Sequence, residues 1–337
     1  MGSVSPLLLT ALAVTAAACG GNGPVEVQLP VQAEPDEPES GPEPAQLARE
    51  LEATVLEIYS HLTLGNFAAF RDSLASDEPV VLLGVRPRDV LVGVSPRAAG
   101  SDRRLLPAMA PNILAKNLEL RLSQDGSVAW TFDEISYRVS YEGRVASIPI
   151  RDTSLFVRDI DRWVLVVEHQ SYPTGIDELR ARAAAGRSEQ PRRFPSRHTG
   201  EPARELVRLV GLLHNAEPRG LGRRVAPGDS TLVLLPDADH ELRGRDAVEG
   251  PALATLFGPG ATVGLRDYHI GTAKNETIAW MAANLVVRTV VNDEKVDIGM
   301  RGTYVFRRGE RDWELVQMHV SAPVSERELS RRVFGTP

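Results

Sequence analysis

Cysteine occurs once in this 337-residue chain, at Cys19, which excludes an internal disulfide and a thiolate metal centre. The histidines show no HExxH or closely paired ligand spacing, so neither a metal nor a cofactor is expected. Lysine is nearly absent (Lys116, Lys274 and Lys295 only), and the many arginines that replace it read as compositional bias. The longest apolar run, Leu7 to Ala18, falls short of the roughly 20 residues a membrane-spanning helix needs. No serine-centred nucleophile elbow occurs, and Gly258-Pro259-Gly260 does not open a helix as a dinucleotide fingerprint would. The net charge is −7, and six of the acids responsible (Glu26, Glu34, Asp36, Glu37, Glu39, Glu43) fall between Gly20 and Gln46, where no base occurs. The remainder is nearly neutral, so no field that would steer nucleic acid is present.

What is present begins with a processing signal. The apolar run ends in Ala16-Ala17-Ala18-Cys19-Gly20. Small residues before a cysteine resemble the lipobox of bacterial lipoproteins, which implies a signal peptide over 1–19 and a lipid on Cys19. The expected location is the bacterial cell envelope, anchored to a membrane and facing the periplasm or exterior. Residues 20–45 are rich in proline, glutamate and glycine, the composition of a disordered acidic tether.

The rest of the chain repeats itself. Displaced by 150 residues, 129–179 falls on 279–329 without a gap, and 16 of the 51 positions are identical. Among them are Trp130/Trp280, Arg138/Arg288, Arg151/Arg301, Thr153/Thr303, Trp163/Trp313, His169/His319 and Ser171/Ser321. Two copies follow, at 46–186 and 203–334, joined by a basic, proline-containing linker over 187–202 that could also meet anionic lipid headgroups.

Each copy opens with helix and closes with sheet. Leu47, Leu51, Val55, Ile58 and Leu62 recur at helical spacing, and Gly65 ends that helix. Strands are predicted near 79–85, 116–123, 127–142, 145–158 and 162–171 as an antiparallel meander, with tail helices near 174–186 and 324–333. Strands of this length must twist, which gives an α+β fold: two cone-shaped domains, each with N-terminal helices packed in a curved antiparallel sheet.

That order is similar to the SnoaL-like branch of the nuclear transport factor 2-like superfamily. The stretch carrying the likeness is Arg301-Gly302-Thr303-Tyr304-Val305-Phe306, a charged turn, then Trp313 through Pro323. The resemblance implies a fold that hosts both enzymes and binding domains, and a habit of pairing sheet to sheet. An intramolecular pseudo-dimer of the two copies is the corresponding expectation.

Strict alternation along the last strand puts Trp163, Leu165, Val167, His169 and Ser171 on one face. Trp130, Arg138 and His169, with Trp280, Arg288 and His319, are therefore the expected ligand-pocket residues. Catalytic candidates are His169 and His319, and in copy 2 also Asp267 with His269, which share a strand face. Features kept by both copies more often serve the fold, so an activity of one copy belongs where they differ. Asp133, Glu134 and Glu168, for example, are Ala283, Asn284 and Met318 in copy 2. The expected function is a membrane-anchored binding or scaffold lipoprotein for a small hydrophobic ligand or an envelope protein. The alternative is a lyase, isomerase or hydrolase acting on a small apolar substrate in one cone.

The anchor is directly testable. Replacing Cys19 by Ala should abolish incorporation of radiolabelled palmitate and move the chain from the membrane to the soluble fraction; unchanged labelling would sink the lipid assignment.

Overall fold

The computed structural model describes residues 42–77, 79–93, 112–141, 144–194, 196–198, 202–215, 224–226 and 231–335. The signal segment, Cys19, nearly all of the tether, and the loop after Gly93 lie outside the described residues.

Helix α1 (Pro44–Leu64) starts on a proline, whose missing N–H is harmless in a first turn, and buries Leu47, Leu51, Val55, Ile58, Tyr59 and Leu62. Each apolar side chain so buried contributes about 1.5–3 kcal/mol. Gly65, at φ 67°, adopts the left-handed conformation that stops the helix. The Asn66 side chain then caps α2 (Phe67–Asp72) by accepting from Ala69 N at 3.3 Å.

The strands of copy 1 are β1 (Val80–Leu83), β2 (Val90–Gly93), β3 (Asn112–Leu114), β4 (Glu119–Leu122), β5 (Val128–Tyr141), β6 (Arg144–Asp159) and β7 (Arg162–Ser171). They form one sheet in the order β2-β1-β7-β6-β5, with β3 and β4 both along the outer edge of β5. The expected meander holds for β4 to β7. It fails for β1, which lies parallel to β7. Strand order is set by the path of the chain over the helices, and alternation does not record it. Helix α3 (Ile176–Ala184) follows.

Described parts of the connector pack on the fold. Phe194 is buried, and β8 (Arg197–His198) adds a parallel edge to copy 2's sheet. Copy 2 then repeats the plan: α4 (Ala203–Asn215), β9 (Leu232–Leu234), β10 (Glu241–Arg243), α5 (Gly244–Glu249), α6 (Leu253–Leu256), β11 (Thr262–Thr272), β12 (Ile278–Val291), β13 (Glu294–Arg308), β14 (Trp313–Ser321) and α7 (Glu326–Phe334). Its seven-stranded sheet has the order β10-β9-β14-β13-β12-β11-β8, with β9 parallel to β14. Each sheet wraps its long helix as a cone-like α+β domain.

One irregularity recurs. On β6 and β7, Leu155 faces Val167 while Phe156 faces Leu165, so Val166 is an extra residue. On β13 and β14, Val305 faces Gln317 while Phe306 faces Leu315, so Val316 is extra. Such a β-bulge reverses which side chains meet which face beyond it.

The outer faces of the two sheets meet, and the contacts come in matched pairs. Arg151 donates to the carbonyls of Leu235 and Ala238 at 2.8 and 3.0 Å. Arg301 donates to those of Gly84 and Pro87, both at 2.6 Å. Thr174 N reaches Pro236 O at 2.7 Å, and Val324 N reaches Val85 O at 2.9 Å. The tail helices cross over: Leu179 and Ala183 of α3 join the core of copy 2, and Phe334 of α7 joins the core of copy 1. Arg332 of α7 is ion-paired with Glu178 of α3.

Arg301 is fully buried, and its guanidinium satisfies two carbonyls of the other copy. Arg301→Met leaves both without that donor and should lower the unfolding free energy by about 3 kcal/mol in urea melts. Arg288→Met, at an exposed position of the same repeat, should change it by no more than about 0.5 kcal/mol. Equal effects would refute this account of the contact.

Candidate functional site

The bulge decides which residues form the site. Before it, Trp163 and Leu165 face into the cone, and the Trp163 indole donates to Leu47 O of α1 at 3.2 Å. After it, Val167, His169 and Ser171 face outward, opposite Leu155, Thr153 and Arg151. Glu168 and Gln170 face inward, opposite Ser154 and Asp152. The expectation that each histidine shares a face with its tryptophan on the last strand is thereby corrected, because one inserted residue reverses a period of two.

The six expected pocket residues do not line a cone. Trp130 and Trp280 pair with Leu155 and Val305, on the outer faces. Trp280 packs in the core cluster of copy 1, and Trp130 borders a cleft beside Ile278 and Arg307 of copy 2. Arg138 and Arg288 are exposed near the far ends of their strands, and Arg288 stands 4.0 Å from Asp297.

His169 and His319 meet one another. Their rings stack with centroids 3.9 Å apart and an interplanar angle of 19°. Each is bonded at both nitrogens by hydroxyls of the other copy. For His169, Thr303 Oγ1 lies 3.1 Å from Nδ1 and Ser321 Oγ lies 2.7 Å from Nε2. For His319, Thr153 Oγ1 lies 2.9 Å from Nδ1 and Ser171 Oγ lies 2.7 Å from Nε2. Burial, aided by the Arg301 charge, pushes His169 down to about 3. Burial, with His169 and Arg151, pushes His319 well below the usual histidine range. Both rings are thus neutral and fully hydrogen-bonded, the condition of structural groups and not of general bases awaiting a substrate.

Asp267 and His269 are both buried, but Asp267 is engaged elsewhere. Arg193 of the connector binds its Oδ1 at 2.9 and 3.0 Å, and Asn284 donates to Oδ2 at 3.0 Å. Asn284 also donates to Arg192 O at 3.0 Å, so this carboxylate clasps the connector onto copy 2.

The side chains that do converge lie inside copy 1's cone. Asp133 on β5 lies opposite Asp152 on β6, and Glu168 and Gln170 on β7 complete the row. Tyr59 of α1 donates to Asp152 Oδ2 at 3.1 Å, and Ser154 donates to the same oxygen at 3.3 Å. Gln170 donates to Glu168 Oε1 at 3.1 Å and accepts from the Tyr137 hydroxyl. Asp133 Oδ1 accepts from the backbone N–H groups of Lys116 and Asn117 at 3.2 and 2.9 Å. Asp133 Oδ2 and Asp152 Oδ1 are buried with no hydrogen-bond partner.

Burial dominates the electrostatics. It pushes Asp152 up to about 7, with the neighbouring Asp133 adding to the rise. Burial and the Asp152 charge push Glu168 well above the usual carboxylate range. Asp133 is raised for the same reason, although its two backbone donors oppose the rise. Near neutral pH the Asp152–Glu168 pair therefore keeps at least one proton, and its two carboxyls can together donate and accept.

Copy 2 has none of this. Asp133, Asp152, Glu168 and Gln170 correspond to Ala283, Gly302, Met318 and Val320, and Ser154 to Tyr304. The Tyr304 ring lies so close to Gly302 that no Cβ would fit there. Its hydroxyl meets His214 Nε2 at 2.5 Å. Sequence comparison of the copies singles out Asp133 and Glu168. It misses Asp152, whose opposite number is a glycine, and it misses Tyr59, Tyr137 and Gln170. The signal that could have found them is the row of polar residues on an otherwise apolar strand pair. Among the described residues no group of three potential ligands fits a metal ion.

The model of the SnoaL-like domain family matches residues 51–175 and 224–325. No curated protein matches the chain. Among solved structures, the chain is similar to a putative calcium/calmodulin dependent protein kinase II association domain from Xanthomonas campestris. That match has 21% identity, covers 37% of this chain and 86% of that one, and has a TM-score of 0.32. A putative dehydratase from the NTF2-like family of Streptomyces avermitilis matches with 14% identity over 39% of this chain and 98% of its own, TM-score 0.33. An NTF2-like superfamily protein from Salmonella enterica matches with 16% identity over 36% and 92%, TM-score 0.31.

Asp152 titrates higher in the folded chain than in the unfolded one, so the folded state holds the extra proton between about pH 4 and 7. Its contribution to stability is complete below that window and is lost as pH rises through it. Asp152→Asn should therefore gain stability relative to the parent as pH is raised from 5 to 7.5, and the gain should level off above that. Urea midpoints measured across this range check the sign, and a difference independent of pH would contradict the raised titration.

Proposed function

We propose a binding function for this chain, which belongs to the SnoaL-like domain family: the cone of copy 1 takes up one small, largely apolar molecule by its polar end, while copy 2 serves as its permanent partner in an intramolecular pseudo-dimer. The observation that carries this reading is the asymmetry of the cones. Copy 1 keeps buried carboxyls, two of them with a free oxygen, whereas copy 2 replaces them with alanine, glycine and methionine. Retaining such groups costs about 1–3 kcal/mol for each unsatisfied atom, so their presence in one copy alone points to use by a ligand. The apolar residues on the same strand face, Ile135, Ile150 and Phe156, suit the rest of such a molecule.

The matched Arg, His, Thr and Ser contacts support the pseudo-dimer, since each copy supplies the other with the same bonds. The lipobox-like end at Cys19 supports a site of action on the envelope membrane. A second reading, lyase, isomerase or hydrolase chemistry in the same cone, has one observation in its favour: Asp152 is pushed up to about 7, where a general base works well.

Importing copy 2's side chains into copy 1 tests the reading. The double variant Asp152→Gly, Ser154→Tyr should fill the cone with a phenol as Tyr304 does. Native mass spectrometry of the mature protein purified from its own envelope should show a bound small molecule on the parent and none on the variant. Near-UV circular dichroism confirms that the variant is folded. A parent that carries nothing, or a folded variant that still carries the molecule, would defeat the proposal; a chemically altered molecule would favour the enzyme.

A further inference from the structure

We propose that the molecule taken up by copy 1 presents a protonated amine to Asp133, Asp152 and Glu168. This inference rests on the binding reading above and adds the chemical class of the ligand's polar end.

The three carboxyls come from three adjacent strands and share one face. Asp133 is directly across from Asp152, and Glu168 is across from Ser154, two positions along β6. The nearby arginines are committed elsewhere. Arg151, next in sequence to Asp152, points to the opposite face and binds Leu235 O and Ala238 O. Arg158 is held by Glu50 at 2.7 Å. Glu168 feels the Asp152 charge and the Gln170 amide, and the Tyr59 and Tyr137 hydroxyls lie within its field. The row therefore lacks a cation among the described residues.

A cluster of acids alone would be unremarkable as a solvated patch, but this one is dry. Asp133 and Asp152 are at most 1% exposed. Each keeps one oxygen with no hydrogen-bond partner, Oδ2 of Asp133 and Oδ1 of Asp152, while its other oxygen is fully bonded. Two orphaned acceptors on neighbouring strands call for a group with several donors. An ammonium brings three N–H donors and a positive charge that takes the place of the proton the Asp152–Glu168 pair otherwise keeps. A hydroxyl brings one donor and no charge, and a carboxylate would add a fourth negative group to a site that already resists ionisation. The raised titration of all three acids agrees with this, because a cation is the one partner that would favour their charged forms.

Three cyclohexane derivatives of nearly equal size isolate the head group: cyclohexylamine, cyclohexanol and cyclohexanecarboxylate, titrated calorimetrically into the mature full chain at pH 7. The amine should bind at least ten-fold more tightly than the alcohol, and the carboxylate should not bind. Asp152→Asn and Glu168→Gln should each reduce amine affinity at least ten-fold and alcohol affinity by less than three-fold. If the alcohol binds as well as the amine, or amine binding survives both substitutions, the amine inference falls while uptake by the cone stands. If none of the three binds, the inference and the binding reading fall together. Loss of alcohol binding in the Asp152→Gly, Ser154→Tyr chain identifies the cone as the place of uptake.

Discussion

One extra residue in each closing strand, Val166 and Val316, governs the arrangement of the molecule. The last strand of each copy has two neighbours to satisfy: its own helix inside the cone and the other copy outside. A regular strand would give the same residue parity to one of them throughout. With the bulge, Trp163 packs inward against α1, while six residues later His169 points outward to the other copy. The same reversal turns Glu168 and Gln170 into the cone. Interface and interior are thus consequences of a single inserted position.

Shared and unshared residues divide along these two faces for a physical reason. In the interface each histidine depends on a threonine and a serine of the other copy, so altering one residue unsatisfies a partner across the junction. That reciprocity ties Thr153, His169 and Ser171 to Thr303, His319 and Ser321. The cone residues face separate interiors. Asp152 is bonded by Tyr59 of α1, whereas Gly302 lies against the Tyr304 ring of its own strand, so one can change without consequence for the other.

Much of the fold is legible in the sequence. Apolar spacing in 47–62 and the stop at Gly65 define α1, and the gapless match of 129–179 to 279–329 carries the three long strands of each copy. Register and parity were not legible, because no residue type marks Val166 as a bulge: it sits in a run of valine and leucine. Strict alternation therefore puts His169 and His319 on the wrong face and hides Asp152. The parallel pairing of β1 with β7 and the docking of Arg193 on Asp267 depend on contacts between segments far apart in sequence, which local patterns do not encode. Comparison of the copies does mark Asp133 and Glu168, because Ala283 and Met318 stand in their places.

The crossed tail helices bear on what holds the two copies together. Each copy completes the other's core, with Leu179 and Ala183 on one side and Phe334 on the other, and the two tails are clasped by Arg332 and Glu178. The covalent connector is therefore not the chief bond between the halves. Cut between the copies, the chain would behave as a pair of mutually embracing fragments, each carrying an arm that belongs in its neighbour, and neither half would have a finished core until it found the other.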